Sequence, residues 1–196
     1  MRNRFLFVAT TIFALATSGL NPWVRQAQGQ SSSWDLPEFK EAAAALGRWD
    51  CKTAWEIYWS FAIRGNAEAR YALWTAMIYN TNPPGVSFWS SSRATWGRHS
   101  LTLSAYGALA RVAPRTGESL RREIPIHLKE LALGAKGDQV AECYKSGGAF
   151  RDCLDLAVSL GVVPKFEDYT EEVERTERET GIAASCGADP HRLRRP

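Results

Sequence analysis

The stretch Gly65-Asn66-Ala67-Glu68-Ala69-Arg70-Tyr71 decides the fold, because it has the composition of a turn that ends one helix and begins the next. A fainter copy, Gly137-Asp138-Gln139-Val140-Ala141, follows 72 residues later. This distance is two periods of about 36 residues, which lies in the range typical of stacked helical pairs. We therefore predict an all-α fold whose antiparallel helical pairs form a short, degenerate α-solenoid. An unrelated helical bundle is the alternative.

Helical periodicity and helix-ending residues divide the rest of the chain. The predicted helices cover residues 35–46 or 37–46, 51–64, 67–80, 93–112, 118–133, 139–145, 150–160 and 164–180. Pro125 should kink or divide the fifth of them near Ile124, because proline has no backbone N–H to donate. No segment alternates polar and apolar residues as a strand does.

The N-terminus has the layout of a secretory signal peptide. Two arginines precede the uncharged apolar run Phe5 to Leu20, and Ala27-Gln28-Gly29 supplies small residues for a signal peptidase. This predicts a signal peptide over 1–29 and a periplasmic or secreted protein, by bacterial-type export. An uncleaved membrane anchor is the alternative, because the run nearly spans a thin bilayer.

Cleavage leaves residues 30–196, a length that suits one domain with its own core. Residues 30–34 are a polar leader that we expect to be disordered. Residues 35–180 form the predicted helical repeat domain, and residues 181–196 form a C-terminal tail.

The charge of the chain depends on this cleavage. The full chain has a formal charge of +3, and residues 1–29 contain three arginines and no acid, so the exported chain is neutral. Neutrality argues against a nucleic-acid partner. Between residues 69 and 117 there are five arginines and no acid, whereas residues 166–180 are strongly acidic. The arginines predict either an acidic partner, such as an envelope protein or an anionic cell-wall polymer, or neutralisation by the acidic segment itself.

The deciding stretch, taken as far as Leu73, resembles a Sel1-like repeat, a relative of the tetratricopeptide repeat. The resemblance includes the preceding segment Ala54-Trp55-Glu56-Ile57-Tyr58-Trp59-Ser60-Phe61-Ala62. The match is good over residues 47–86, weak over residues 134–163 and absent between them. Trp74 stands where the family commonly has a glycine. The resemblance implies a protein-interaction or signalling scaffold and no catalytic residue.

Tryptophan crowds the first half of the exported chain, as Trp34, Trp49, Trp55, Trp59, Trp74, Trp89 and Trp96. Such residues form either a core or an aromatic binding groove. Helical position predicts core packing for Trp55, Trp59 and Trp74. Together with two of the arginines, some of these tryptophans predict a concave binding surface. It is formed by Arg70, Trp74, Trp89, Trp96 and Arg98.

Motifs for catalysis and cofactor binding are not found. The three histidines lack metal-ligand spacing. The chain also has no nucleophile elbow, phosphate-binding loop or dinucleotide fingerprint. We therefore predict a non-enzymatic binding or regulatory module without metal or cofactor. The alternative is a small cell-envelope hydrolase acting on glycan or peptide, with Glu56 and Glu68 as the nearest acids to the tryptophans.

Four cysteines in an exported chain predict two disulfides, for which three pairings exist. Cys143 and Cys153 each lie five residues from Gly148, in a turn between two helical segments. Equal distance from the turn places them opposite each other in a hairpin. Cys51 would then pair with Cys186 and bring the tail back to the first helical pair. Four reduced thiols are the alternative.

Overall fold

The computed structural model describes residues 32–79, 81–87, 92–110 and 114–187. Within these residues the fold is all-α, as predicted. The helices are α1 (Pro37–Gly47), α2 (Cys51–Ala62), α3 (Ala67–Tyr79), α4 (Arg93–Gly107), α5 (Pro114–Glu130), α6 (Gly134–Lys145), α7 (Phe150–Ser159) and α8 (Phe166–Thr180). None of these described helices is long and apolar enough to cross a membrane. The predicted signal peptide at 1–29 lies outside the described residues.

The turn that decides the fold forms between α2 and α3. Gly65 has a φ of +86°, a left-handed conformation that glycine adopts without the steric cost of a Cβ atom. The side chain of Asn66 then accepts a hydrogen bond of 2.8 Å from the N–H of Ala69. This cap satisfies one of the free donors at the start of α3. Asp50 caps α2 in the same way, through the N–H of Thr53.

The stretch that begins at Gly137, predicted to be a second turn of this kind, is part of a helix, so that prediction is wrong. Gly137 lies inside α6, which begins at Gly134 rather than at Gln139. The chain reverses instead at Ala132 and Gly134, both of which have positive φ. A Cβ atom on Gly137 would lie 2.9 Å from the Cβ of Leu133. This glycine therefore provides space for packing, not backbone freedom.

Helices that are consecutive in sequence pack against each other from α1 to α7. The last helix, α8, returns to the earlier ones through its aromatic residues. The ring of Phe166 lies 5.0 Å from that of Tyr106 on α4, and the ring of Tyr169 lies 6.0 Å from that of Trp59 on α2. The C-terminal helix thus completes the core built by the first four.

The approach of α3 to α4 is especially close. A Cβ atom on Gly107 of α4 would lie 2.9 Å from the Cα of Tyr71 on α3. Real Cβ atoms essentially never come so near, so any side chain at this position would push the helices apart. Ala69, Ala72 and Ala76, the predicted ridge of small residues on α3, are all buried.

Pro125 does not divide α5, which was one of the two predicted outcomes. The helix begins at Pro114, four residues earlier than expected, and runs through Pro125 to Glu130. Leu120, Ile124 and Leu128 form a fully buried stripe at intervals of four residues. Burial of this stripe outweighs the one backbone hydrogen bond that proline removes.

Two strands of two residues each were not predicted. Thr81–Asn82 (β1) pairs antiparallel with Ser185–Cys186 (β2), and Thr81 lies opposite Cys186. Strands this short show no alternation of polar and apolar residues, so the sequence carries no signal for them. The pair holds the C-terminal segment beside the chain that follows α3.

The two disulfides have the predicted pairing. Cys143 and Cys153 join α6 to α7 with their Cα atoms 5.6 Å apart, and Cys51 and Cys186 join α2 to β2 with their Cα atoms 5.2 Å apart. Gly148 lies directly over the first bond. A Cβ atom there would be 2.9 Å from each of the two sulfur atoms.

Residues 32–34 of the predicted polar leader lie among the described residues and contact α3. A short 3-10 turn covers Ser33–Asp35, and Glu68 on α3 accepts hydrogen bonds from Ser32 Oγ at 3.0 Å and from the N–H of Ser33. Asn66 Nδ2 also donates to Ser33 Oγ at 2.8 Å. Polar residues are thus ordered here because Glu68 and Asn66 bind them.

Candidate functional site

Arg70, predicted to lie on a binding surface, is instead half-buried and packed against aromatic rings. Its guanidinium carbon lies 3.8 Å from the ring centre of Phe166 and 5.2 Å from that of Tyr106. Its Nε donates a 3.1 Å hydrogen bond to the carbonyl of Ala62. Burial lowers the pKa of Arg70. The side chain fastens α8 to α2, α3 and α4.

The other residues of the predicted surface are not brought together on one open face. Trp74 is buried at 6% exposure, and its Nε1 has no hydrogen-bond partner. Trp96 is half-buried against the core, while Arg98 is exposed. Trp89 lies outside the described residues. Trp74 is buried because α3 has neighbours on most sides, so the prediction of core packing is the correct one for this residue.

The two carboxylates of the hydrolase hypothesis have other partners. Glu56 is exposed and lies 3.8 Å from Lys52 on the same helix. Glu68 binds the 3-10 turn as described above. Within the described residues, no group of three or more potential ligands is placed to hold a metal ion.

A chain of polar contacts between α4 and α5 was missed by the sequence analysis. Ser100 Oγ lies 2.8 Å from His127 Nε2, and His127 Nδ1 lies 3.5 Å from Glu130 Oε2. Arg93 donates a 2.7 Å hydrogen bond to Glu130 and lowers the pKa of that carboxyl. The order is that of a Ser-His-acid triad. However, Ser100 is fully buried in α4, where no substrate can reach its hydroxyl.

His99 makes a second polar contact inside the fold. Its Nδ1 lies 2.8 Å from the hydroxyl of Tyr169, and burial, with a smaller effect of Arg98, lowers the pKa of His99 to about 4. Burial also raises the pKa of Tyr169. The adjacent cavity has a volume of about 30 Å³, which is room for a water molecule and not for a larger ligand.

A larger groove lies between α5 and α6. It has a volume of about 440 Å³ and is lined by Arg121, Arg122, Pro125, Ile126, Lys129, Tyr144 and Lys145. This volume lies within the range of protein sites for small molecules. The lining contains four cationic side chains and no carboxylate.

Most of the residues that line this groove lie on helix α5, next to its buried stripe. The buried stripe at 120, 124 and 128 faces the core, and the residues beside it on the helical wheel, Arg121, Pro125 and Lys129, lie along the groove. Pro125 also has no N–H for the carbonyl of Arg121, which a regular helix would pair with it.

Arg121 is committed to the structure of the groove. Its Nη1 donates to the carbonyl oxygens of Tyr144 at 3.2 Å and Gly148 at 2.8 Å. The guanidinium carbon lies 4.3 Å from the ring centre of Phe150. These contacts hold α5 against the turn between α6 and α7.

The other three cations, Arg122, Lys129 and Lys145, are exposed. Within the described residues, no carboxylate forms an ion pair with any of them. Their charges are therefore available to an anionic ligand. We call these three residues, together with the floor formed by Pro125, Ile126 and Tyr144, the basic groove.

The floor of the basic groove contains an unsatisfied polar atom. Tyr144 is fully buried, and its hydroxyl has no hydrogen-bond partner. Burial raises the pKa of this hydroxyl, so it stays protonated and able to donate. A buried donor without an acceptor is costly.

Comparisons with known proteins add no relative. No protein-family model, curated protein or solved structure matches this chain. The resemblance to Sel1-like repeats rests on the residues of the deciding stretch and its preceding helix. The basic groove lies mostly outside that stretch, on α5 and α6.

Proposed function

We propose that this chain is an exported, non-enzymatic binding module of the Sel1-like kind, which engages an acidic protein partner through the basic groove. The observation that carries this proposal is a set of three cations that form no ion pair within the described residues, around an apolar floor in a lining without a carboxylate. Complementary charge speeds association and selects acidic partners. The site thus differs from the surface that the sequence predicted.

An acidic protein suits the groove better than an anionic cell-wall polymer does. A polymer satisfies the three exposed cations, but its charged groups leave the exposed apolar side chain of Ile126 uncovered. A protein segment offers carboxylates and apolar side chains together. Burial of apolar surface adds about 25 cal/mol for each Å² removed from water.

The hydrolase alternative has less support. Ser100, His127 and Glu130 follow the order of a catalytic triad, but the hydroxyl of Ser100 is fully buried. The contacts of Ser100 and His127 join α4 to α5. Glu56 and Glu68 do not line the basic groove. We therefore retain binding as the proposed function.

The binding of fluorescein-labelled poly-L-glutamate, measured by anisotropy at low salt, tests this proposal. The double variant Arg122→Glu/Lys129→Glu should bind about tenfold more weakly or worse, because two attractions become repulsions. The matched control is Lys40→Glu/Arg48→Glu, which changes the same net charge at two exposed residues away from the groove.

The control is expected to keep most of the affinity of the unmodified protein. Equal losses in the two double variants would mean that only the net charge matters, and the basic groove would not be the site. A labelled polyuronate serves as a second probe. Tighter binding of polyuronate than of polyglutamate would favour the cell-wall polymer over the protein partner.

A further inference from the structure

Resting on the proposed function, we infer that the basic groove recognises an acidic peptide segment in which one large apolar side chain lies between two carboxylates. Two independent features of the groove carry this inference: the spacing of its cations, and the exposed apolar side chain of Ile126 in its floor. Each feature specifies a different part of the peptide.

The cations fix the positions of the carboxylates. Arg122 and Lys129 are seven residues apart on α5, and an α-helix rises 1.5 Å per residue, so they are separated by about 10 Å along the helix axis. A peptide in the polyproline II conformation rises about 3.1 Å per residue with three residues per turn, so side chains three residues apart lie on the same face about 9 Å apart. Two carboxylates about three residues apart on the peptide therefore match these cations. Lys145 on α6 is available to a third carboxylate from the other wall.

The floor fixes the residue between the carboxylates. Pro125 and Ile126 lie between Arg122 and Lys129 in the sequence of α5, and Ile126 is 51% exposed. An exposed isoleucine at the floor of a concave site gains stabilisation only when an apolar group covers it. The concave shape suits a single inserted side chain better than the flat surface of a lipid bilayer.

The test uses three fluorescein-labelled peptides and the full exported chain. The first peptide has two glutamates three positions apart with a leucine between them, the second has serine in place of the leucine, and the third has lysines in place of the glutamates. The leucine peptide should bind at least about tenfold more tightly than the serine peptide, given the apolar area of leucine that is buried. The lysine peptide should not bind.

Two variants assign these effects to the groove. Ile126→Ser should remove the preference for leucine over serine. Lys129→Gln should weaken the binding of both acidic peptides by a similar factor. Ile126 and Lys129 are exposed, and unchanged circular dichroism and melting temperature would show that both variants fold.

The outcomes separate this inference from the proposed function. Equal affinity for the leucine and serine peptides would overturn the apolar anchor, while binding of polyglutamate would leave the proposed function in place. Loss of every acidic probe would overturn both. Binding to phosphatidylglycerol vesicles that is tighter than binding to the leucine peptide, and that Ile126→Ser abolishes, would assign the groove to a membrane surface and overturn the inference.

Discussion

His99 Nδ1 lies 2.8 Å from the hydroxyl of Tyr169, and this contact joins α4 to the C-terminal helix α8. Both side chains belong to the interior surface between these helices. A histidine in such a place must remain uncharged, because burial favours the neutral ring. The stability of the protein should therefore depend on pH through this residue.

We predict that stability falls as the pH drops from about 6.5 to 4. The pKa of His99 is about 4 in the folded protein, against 6.5 as its ordinary value. In this window the unfolded chain binds a proton that the folded protein does not, so acid favours unfolding, by an amount on the order of 2 to 3 kcal/mol. Urea denaturation at pH 7 and pH 4.5 measures the difference.

The variant His99→Gln serves as the control for this prediction. Glutamine does not titrate, so the loss of stability between pH 7 and pH 4.5 should be smaller than in the unmodified protein. The same loss in both proteins would show that carboxylates, and not His99, cause the pH dependence.

Arg70→Met should destabilise the fold by about 2 kcal/mol. The substitution removes a half-buried guanidinium from the rings of Phe166 and Tyr106, and cation–π contacts are stronger where water is excluded. Arg64→Met is the matched control, because Arg64 also lies over a ring, that of Phe61, but is exposed. Arg64→Met should lower the free energy of unfolding by less than about 1 kcal/mol. Equal costs in guanidinium denaturation would contradict the role of Arg70 in holding α8.

Gly148→Ala should lower stability by about 1 to 3 kcal/mol, because the new methyl group would lie 2.9 Å from both sulfurs of the Cys143–Cys153 bond. Gly47→Ala is the control, since Gly47 has no neighbouring atom within 4 Å of an added Cβ. It should be neutral or slightly stabilising at the end of α1. Thermal unfolding of the two variants, followed by circular dichroism, tests the prediction. An unchanged melting temperature for Gly148→Ala would show that the turn between α6 and α7 can shift to make room for the methyl group.

The two disulfides should differ in their contributions. Replacing Cys51 and Cys186 by alanine should cost about 5 kcal/mol, and replacing Cys143 and Cys153 about 3 kcal/mol, on the chain-entropy argument. The reason is loop length, since the cysteines of the two pairs are 135 and 10 residues apart in sequence. Denaturation of the two double variants gives the order. A larger loss for the short loop would mean that native packing, and not the unfolded chain, decides the contribution.

The sequence determined the local features of this protein. A turn such as Gly65-Asn66 depends on the backbone freedom of glycine and on a cap only three residues away, so the chain itself specifies it. The pairing of Cys143 with Cys153 is similarly local, because equal distance from one turn brings two residues together in any helical hairpin. Cys51 and Cys186 were then the remaining pair.

The sequence was less informative about the turn predicted at Gly137 and about the effect of Pro125 on α5. Gly137 begins a stretch that resembles the Gly65 turn, yet it lies inside α6, where an added Cβ would come within 2.9 Å of the Cβ of Leu133. Pro125 likewise did not break α5, since burial of Ile124 and Leu128 outweighs one missing hydrogen bond. For Pro125, tertiary packing overrides a local preference.

Only the tertiary structure decided the candidate site. Arg70 and Lys129 are both cations on helices, and nothing in the sequence shows that one lies between aromatic rings and the other beside an open groove. That difference depends on the rotation of each helix and on which helix covers it. Lys145 reaches the groove from α6 because α5 and α6 pack antiparallel across a short turn. Helix formation follows from interactions within four residues, whereas a binding site requires side chains that are distant in sequence to meet.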